Sequence, residues 1–226
     1  MLPLYSQGVV HARKFSPTPF SIGHELRKRI KMRVLIAYAS RYGATQGIAE
    51  RIAASLHRQH LAPSLQPVRE AADPAGYDAV IVGSAVYYFH WMNQAKEFVR
   101  HNRRVLAERP VWLFSSGPLG TKQTDDQGRD VREFTEPKEI AEFRSIVDPR
   151  GHRVFFGAFN PARLGFTHRL ISKLPVNRDN ALLPPGDFRN WPEIDAWADT
   201  IAQSLKDCNS QPCDHSAFEI SNARCN

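Results

Sequence analysis

Apolar runs alternate along this chain with stretches in which apolar residues recur at helical spacing. Residues 34–39, 78–83, 111–115 and 154–158 are nearly continuous apolar runs, typical of strands buried on both faces of a parallel sheet. Residues 64–69 form a weaker candidate strand. The alternation of strands with helices predicts an α/β fold, a three-layer α/β/α sandwich around a five-stranded parallel sheet.

The first predicted helix follows a short loop at 40–45, and its buried face recurs every four positions, at Ile48, Ile52 and Leu56. The same kind of spacing predicts further helices at 92–107, 136–147 and 191–206. Asn190 precedes the last of these helices, and its side chain is a suitable N-cap.

Five parallel strands in a chain of this length suit the doubly wound strand order 2-1-3-4-5. In such sheets a ligand binds outside the carboxyl ends of the strands, at the point where the strand order reverses. We therefore expect the functional site to be built from the loops at 40–45, 84–91 and 115–120.

Positive charge is concentrated in the N-terminal stretch. The 226-residue chain has a formal net charge of +7, and residues 1–31 contain six basic side chains against one acidic. The remaining residues carry only +2, so the charge does not indicate a nucleic-acid partner. We predict a flexible N-terminal extension at 1–31, one domain at 32–206 and a disordered C-terminal tail at 207–226.

Cysteine usage and hydropathy favour a cytoplasmic protein. All three cysteines lie in the predicted tail, at positions 208, 213 and 225, and the predicted core contains none. We interpret them as reduced thiols in preference to a Cys/His zinc site, and we predict no metal. No run approaches the roughly 20 apolar residues that cross a bilayer.

The loop at 40–45 contains the residue types that bind one terminal phosphate. It leads from a buried strand into the N-terminus of a helix, where backbone N–H groups and the helix dipole favour an anion. Ser40 and Thr45 add hydroxyl donors, and Gly43 allows a close approach to the backbone. The alternative is an ordinary strand–helix turn with a capping hydroxyl.

The loop at 84–91 contains more aromatic residues than a surface turn needs. We interpret Tyr88 as a stacking partner for a planar heteroaromatic ring, and Trp91 as a packing residue at the start of a helix. His90 is interpreted as structural or as a neighbour of a phosphate. The loop at 115–120 has no distinctive pattern of its own. It is a candidate part of the site because of its position beside the other two loops.

These loops resemble the cofactor-binding loops of flavodoxin-fold proteins, with Tyr42 in place of the middle Thr of the usual phosphate loop. The chain also resembles a narrower group, the flavodoxin-type protoporphyrinogen oxidases that use menaquinone. The resemblance covers about 32–206. It depends on residues 33–55, on 77–78 leading into 83–90, and on 156–159, 163–173 and 187–191.

The resemblance implies a flavodoxin-like fold that binds flavin mononucleotide (FMN), with three groups of site residues. The flavin phosphate would contact Ser40, Arg41, Tyr42, Gly43, Ala44 and Thr45. The isoalloxazine ring would be flanked by Ala85, Val86, Tyr87 and Tyr88. The ring pocket would be completed by Ser115, Ser116, Gly117 and Gly120.

The resemblance also implies an oxidoreductase that takes electrons from a small reduced substrate, through FMN, to a quinone-type acceptor. The scattered histidines and the cysteine-free core show no Ser-His-Asp or Cys-His pattern, so no catalytic side chain is assigned. Two alternatives stay open: a flavodoxin-like electron carrier, and a quinone reductase that uses a nicotinamide or deazaflavin donor. The basic, amphipathic segment 161–178 either contacts a membrane surface peripherally or packs on the domain.

Overall fold

The computed structural model describes residues 31–119, 124–160 and 185–210. Apart from Lys31, these residues fall in one of the two units into which the chain divides, Met32–Asn226. The strands are β1 (Arg33–Ala39), β2 (Ala62–Pro67), β3 (Ala79–Tyr87), β4 (His90–Trp91), β5 (Val111–Ser116), β6 (Gly151–Phe155), β7 (Ala158–Phe159) and β8 (Gly186–Asp187). The helices are α1 (Ala44–Arg58), α2 (Asn93–His101), α3 (Arg103–Ala107), α4 (Val131–Phe134), α5 (Glu139–Val147) and α6 (Trp191–Ser210).

Five of the strands form one parallel sheet in the order β2-β1-β3-β5-β6. Numbered among the parallel strands alone, this is the predicted order 2-1-3-4-5, so the predicted flavodoxin-like sandwich is confirmed. The short strand β4 pairs antiparallel with the end of β3, and β7 pairs antiparallel with β8 in a separate ribbon.

Each face of the sheet buries its own apolar cluster. Along β5, Trp112 and Phe114 point into the cluster that α1 and α6 cover, whereas Val111 and Leu113 point into the cluster on the opposite face. The apolar residues predicted for the first helix, Ile48, Ile52 and Leu56, are fully buried. The Asn190 side chain accepts a hydrogen bond from the Glu193 N–H at 3.3 Å, so its predicted capping role is confirmed.

Several predicted boundaries are wrong. Strand β6 begins three residues before the predicted run 154–158, because its first half, with His152 and Arg153, is polar. The predicted helix 92–107 is two helices that meet at Asn102. Helix α6 continues to Ser210, so the predicted disordered tail at 207–226 starts too early.

The predicted loop at 84–91 is also wrong. Strand β3 continues to Tyr87 and returns at once through β4, so the segment is a β-hairpin that projects past the sheet. Among the helices within 31–119, 124–160 and 185–210, none combines the length and the apolarity that crossing a membrane requires.

Candidate functional site

The carboxyl ends of β1, β3 and β5 lie side by side, so the three predicted loops emerge together. In the parallel register Ala39 pairs with Ser84, and Ala85 pairs with Ser116. The strand order reverses between β1 and β3, which is the position where ligands bind in sheets of this topology.

The first loop ends in a helix N-terminus that no side chain caps. Gly43 occupies the N-cap with a φ of 87°, a left-handed conformation that glycine adopts without strain. The Ser40 Oγ accepts a hydrogen bond from the Gly43 N–H at 3.0 Å, which tightens the turn. Ala44 and Thr45, predicted as loop residues, form the first turn of α1 instead.

Thr45 carries a buried hydroxyl that lacks a hydrogen-bond partner among the described residues. A buried polar group left unsatisfied costs roughly 1–3 kcal/mol, so a ligand that pairs with it gains from the contact. An orphaned hydroxyl in the first turn of an uncapped helix suits a phosphate oxygen. These residues therefore fit the phosphate of FMN.

The first and second loops meet at a cluster of Arg41, Tyr42 and Tyr87. The Arg41 guanidinium lies 5.5 Å from the centre of the Tyr42 ring, a cation–π contact. Burial raises the pKa of Tyr87 to about 12. Tyr42 adds a smaller increase, and the positive charge of Arg41 opposes the shift. The Tyr87 phenol therefore remains a protonated hydrogen-bond donor at neutral pH.

The tip of the hairpin exposes aromatic side chains on a strained backbone. Tyr88 and Phe89 have φ values of 50° and 65°, the pattern of a type I′ turn, which Asn and Gly normally form. Tyr88 is 93% exposed, Phe89 49% and Tyr87 37%. Such strain costs on the order of 1–3 kcal/mol at each residue and is concentrated at functional sites. The exposed rings fit the flat face of the isoalloxazine.

A set of hydrogen bonds holds the hairpin in this conformation. The Lys138 N–H donates to the Phe89 carbonyl at 3.0 Å, and the Met92 N–H donates to Ser84 Oγ at 3.0 Å. Glu139 contacts the two residues that follow Phe89. Its carboxylate lies 2.8 Å from His90 Nδ1 and accepts a hydrogen bond from the Trp91 N–H at 3.1 Å.

Glu139 is buried, with 7% of its side chain exposed, and Lys96 Nζ lies 3.4 Å from its carboxylate. Burial acts to raise the pKa of Glu139, but hydrogen bonds from His90 and the Trp91 N–H outweigh it and hold the pKa below its ordinary value. The carboxylate is therefore ionised at neutral pH and acts as a fixed acceptor for the hairpin. His90, interpreted from the sequence as structural or as a neighbour of a phosphate, contacts this carboxylate and so has the structural role.

The third loop is closely tied to β6. The Gly117 N–H donates to the Phe155 carbonyl at 2.9 Å, and Ser116 is 5% exposed. Ser115 is fully buried, and its Oγ hydrogen-bonds Trp91 and His152, so this hydroxyl is not available to a flavin. Trp91 is 1% exposed, which confirms its predicted packing role. Gly120 and the basic segment 161–178 lie outside the described residues.

Sequence reasoning missed two arrangements beside the site. Arg189 contacts the first turn of α1, where its Nη1 donates to the Ala44 carbonyl at 3.3 Å. The second is a chain of hydrogen bonds that joins Ser115, His152 and Glu136. The Asp-Phe-Arg-Asn-Trp stretch that contains Arg189 stood out in the sequence, whereas no local pattern connects the three residues of the chain.

Comparison with known proteins finds a local match in sequence and several in fold. The chain is 28% identical over 93 residues to protoporphyrinogen IX dehydrogenase [quinone] from Escherichia coli K12, a match that covers 40% of this chain and 51% of that protein. The chain thus spans about half the length of the relatives that it matches.

Two solved structures have the same fold at low sequence identity. Rubredoxin oxygen:oxidoreductase from Desulfovibrio gigas is 14% identical with a TM-score of 0.50, over 85% of this chain and 41% of that one. The Flv1 flavodiiron core from Synechocystis sp. PCC6803 is 13% identical with a TM-score of 0.52, over 80% and 38%. The family model described as "Flavodoxin domain" matches residues 35–181, more than half of the chain. The protein therefore belongs to the flavodoxin domain family, and membership implies that it binds FMN.

Proposed function

We propose that the protein is an FMN-dependent oxidoreductase of the flavodoxin-type protoporphyrinogen oxidase kind. It would take electrons from a reduced organic substrate and pass them to a quinone. The observation that carries the proposal is the exposed aromatic hairpin of Tyr87, Tyr88 and Phe89, next to a loop that fits a phosphate. The local similarity to a quinone-dependent protoporphyrinogen IX dehydrogenase supports the same choice.

In this proposal the chain binds and orients, and bound FMN supplies the transfer of electrons between donor and acceptor. Residues 40–45 would hold the phosphate, and Ala85, Val86, Tyr87 and Tyr88 would flank the ring. Ser116, Gly117 and Gly120 would complete the ring pocket. The exposed ring of Tyr88 offers the substrate an apolar surface to contact, and no side chain needs to act as a general acid or base.

Anaerobic reduction tests the proposal directly. Protein loaded with FMN is mixed with protoporphyrinogen IX, and the visible flavin absorbance is followed before and after menaquinone is added. We expect the substrate to bleach the absorbance and the quinone to restore it, with one quinone reduced for each pair of electrons. Protein that binds FMN but is reduced by no porphyrinogen, or is not reoxidised by quinone, would contradict the proposal.

The same experiment separates the proposed enzyme from an electron carrier. Carriers of the flavodoxin type rely on an acidic face to meet basic partners, and residues 32–226 instead carry a net charge of +2. A carrier is expected to take up electrons one at a time without turnover. Rapid bleaching by NADH, NADPH or a reduced deazaflavin, with no response to porphyrinogen, would point to a quinone reductase with one of these donors.

A further inference from the structure

A Ser–His–Glu chain of hydrogen bonds lies behind the aromatic hairpin. Ser115 Oγ is 2.8 Å from His152 Nε2, and His152 Nδ1 is 3.1 Å from Glu136 Oε1. The chain begins at Trp91, whose Nε1–H donates to Ser115 Oγ at 2.8 Å. Trp91 and Ser115 are at most 1% exposed, and the His152 side chain is 3% exposed.

The directions of the hydrogen bonds in this chain follow from its two ends and from the charge state of His152. The Trp91 indole only donates. Burial acts to raise the pKa of Glu136, but hydrogen bonds from Arg144 and His152 outweigh it and lower the pKa, so this carboxylate only accepts. Burial lowers the pKa of His152 to about 4, so at neutral pH the imidazole is neutral and carries one N–H. That N–H is at Nδ1 and donates to Glu136, so Nε2 accepts from the Ser115 O–H.

This geometry matches a catalytic triad, but the surroundings exclude a nucleophile. Ser115 is fully buried, so no substrate reaches its Oγ. The chain is not a path for protons either, because the indole at its inner end accepts no hydrogen bond. An unreactive network whose groups are all hydrogen-bonded, with Ser115 and His152 buried, has a structural effect: it fixes the groups at its ends.

The group that the chain fixes is the returning arm of the hairpin. Trp91 pairs with Val86 in the hairpin, and the neighbouring Met92 N–H is held by Ser84 Oγ. Ser84 and Ser115 are direct partners on adjacent strands. Their two hydroxyls therefore accept hydrogen bonds from consecutive residues of this arm, Trp91 and Met92. Such anchoring is what keeps the left-handed residues Tyr88 and Phe89 from relaxing.

We propose that Ser115 and His152 are positioning residues for FMN binding. By fixing Trp91, they hold the turn at Tyr88 and Phe89, before FMN arrives, in the conformation that receives the isoalloxazine ring. The proposal rests on the placement of the ring at this hairpin in the proposed function, and it is independent of which donor and acceptor the protein uses.

Titration of apoprotein with FMN, followed by quenching of flavin fluorescence, tests this proposal. Ser115→Ala and His152→Leu are expected to weaken FMN binding by at least about tenfold at temperatures where the apoprotein is folded. His152→Gln should restore affinity to within about threefold, because its amide accepts from Ser115 and donates to Glu136. The circular dichroism of the bound flavin should change in the first two variants and return in the third.

Ser55→Ala is the matched control. Ser55 is 1% exposed and hydrogen-bonds Asp199 and Arg58 at the far end of α1, so its loss should lower the melting temperature without changing FMN affinity. The proposal is overturned if Ser115→Ala and His152→Leu behave in the same way. Labelling of Ser115 by a fluorophosphonate would also overturn it, since the residue would then be a reachable nucleophile.

Glu136→Leu decides the matter if Ser115→Ala does not fold, because leucine removes the acceptor of the His152 Nδ1–H. The Glu136 side chain is 34% exposed, so the variant is expected to fold, and unchanged FMN affinity would overturn the proposal. Failure of the proposed function gives a different result: the wild type would bind FMN with the affinity pattern above, yet no quinone would be reduced.

Discussion

The guanidinium group of Arg189 occupies the space beside Gly47 in which any other residue would carry a Cβ atom. Asp187 holds Arg189 there, its carboxylate 2.7 Å from Nε and 2.6 Å from Nη2, and the Trp191 ring lies 4.3 Å beneath the guanidinium. The start of α1, which includes the end of the predicted phosphate loop, is thus joined through Arg189 to the segment that precedes α6.

Gly47→Ala is expected to change the free energy of unfolding by less than about 1 kcal/mol. Alanine in a helix gains about 1 kcal/mol over glycine, and the displaced Arg189 loses a hydrogen bond to the Ala44 carbonyl of similar worth. Urea denaturation measures the balance. A loss of several kcal/mol would show that Arg189 cannot move aside as this reasoning requires.

Gly83→Ala, by contrast, is expected to lower the free energy of unfolding by roughly 3 kcal/mol or more. A Cβ at Gly83 would overlap the ring of Phe114, its partner on β5. That ring is fully buried, and its centre lies 6.3 Å from the centre of the Phe155 ring and 6.2 Å from that of the Trp197 ring. These packed neighbours leave it no room to shift. The same urea measurement applies, and a loss as small as that of Gly47→Ala would contradict the prediction.

Replacement of the hairpin tip should separate stability from binding. With Tyr88→Asn and Phe89→Gly together, the type I′ turn receives its favoured residues, so the free energy of unfolding should rise by about 1 kcal/mol or more. FMN affinity should fall, because the exposed rings are lost. Chemical denaturation of the apoprotein and fluorescence titration with FMN measure the two effects.

His60→Gly is the control for the hairpin variant. His60 has a φ of 66° just after α1, so glycine there relieves the same kind of strain away from the three loops. We expect this variant to gain stability and to keep its FMN affinity. A hairpin variant that binds FMN as tightly as the wild type would remove the aromatic tip from the binding site.

The fold was predictable because its signals are local. The buried strands β1, β3 and β5 are apolar runs, and α1 shows its buried face at Ile48, Ile52 and Leu56. The hairpin was not predictable, because Tyr88 and Phe89 at its tip replace the Asn-Gly signal by which such turns are recognised.

The Ser115–His152–Glu136 chain was not predictable for a different reason. Its members come from a strand end, an edge strand with a polar first half, and the residues before α5. Only the packing of β6 beside β5 brings them together. The candidate phosphate loop, by contrast, lies within six consecutive residues, so its chemistry was visible before the fold was known.

The free energy of unfolding should fall in mild acid, because His152 is held neutral in the folded protein. Burial lowers the pKa of His152 to about 4, below the ordinary value near 6.5, and Glu136 only partly opposes this shift. The unfolded chain therefore binds the proton first, and stability is lost as pH falls from about 6.5 towards 4. By pH 5 the loss should be about 2 kcal/mol relative to pH 8.

Urea denaturation from pH 8 to pH 5 measures this loss, with His152→Gln as the comparison, since glutamine does not titrate. The variant should lose less stability than the wild type across this window by about the same 2 kcal/mol. Parallel pH profiles for the two proteins would show that His152 is not held neutral by its burial.

Thr45→Val should stabilise the apoprotein and weaken FMN binding. The Thr45 hydroxyl is buried without a partner among the described residues, so its removal should raise the free energy of unfolding by roughly 1 kcal/mol. If the hydroxyl donates to the flavin phosphate, the lost charge-assisted hydrogen bond should weaken FMN binding by roughly tenfold to a hundredfold. Thr45→Ser keeps the hydroxyl and should retain most of the affinity. Denaturation of the apoprotein and fluorescence titration with FMN measure both effects, and a valine variant that is less stable yet binds FMN normally would show that Thr45 serves packing alone.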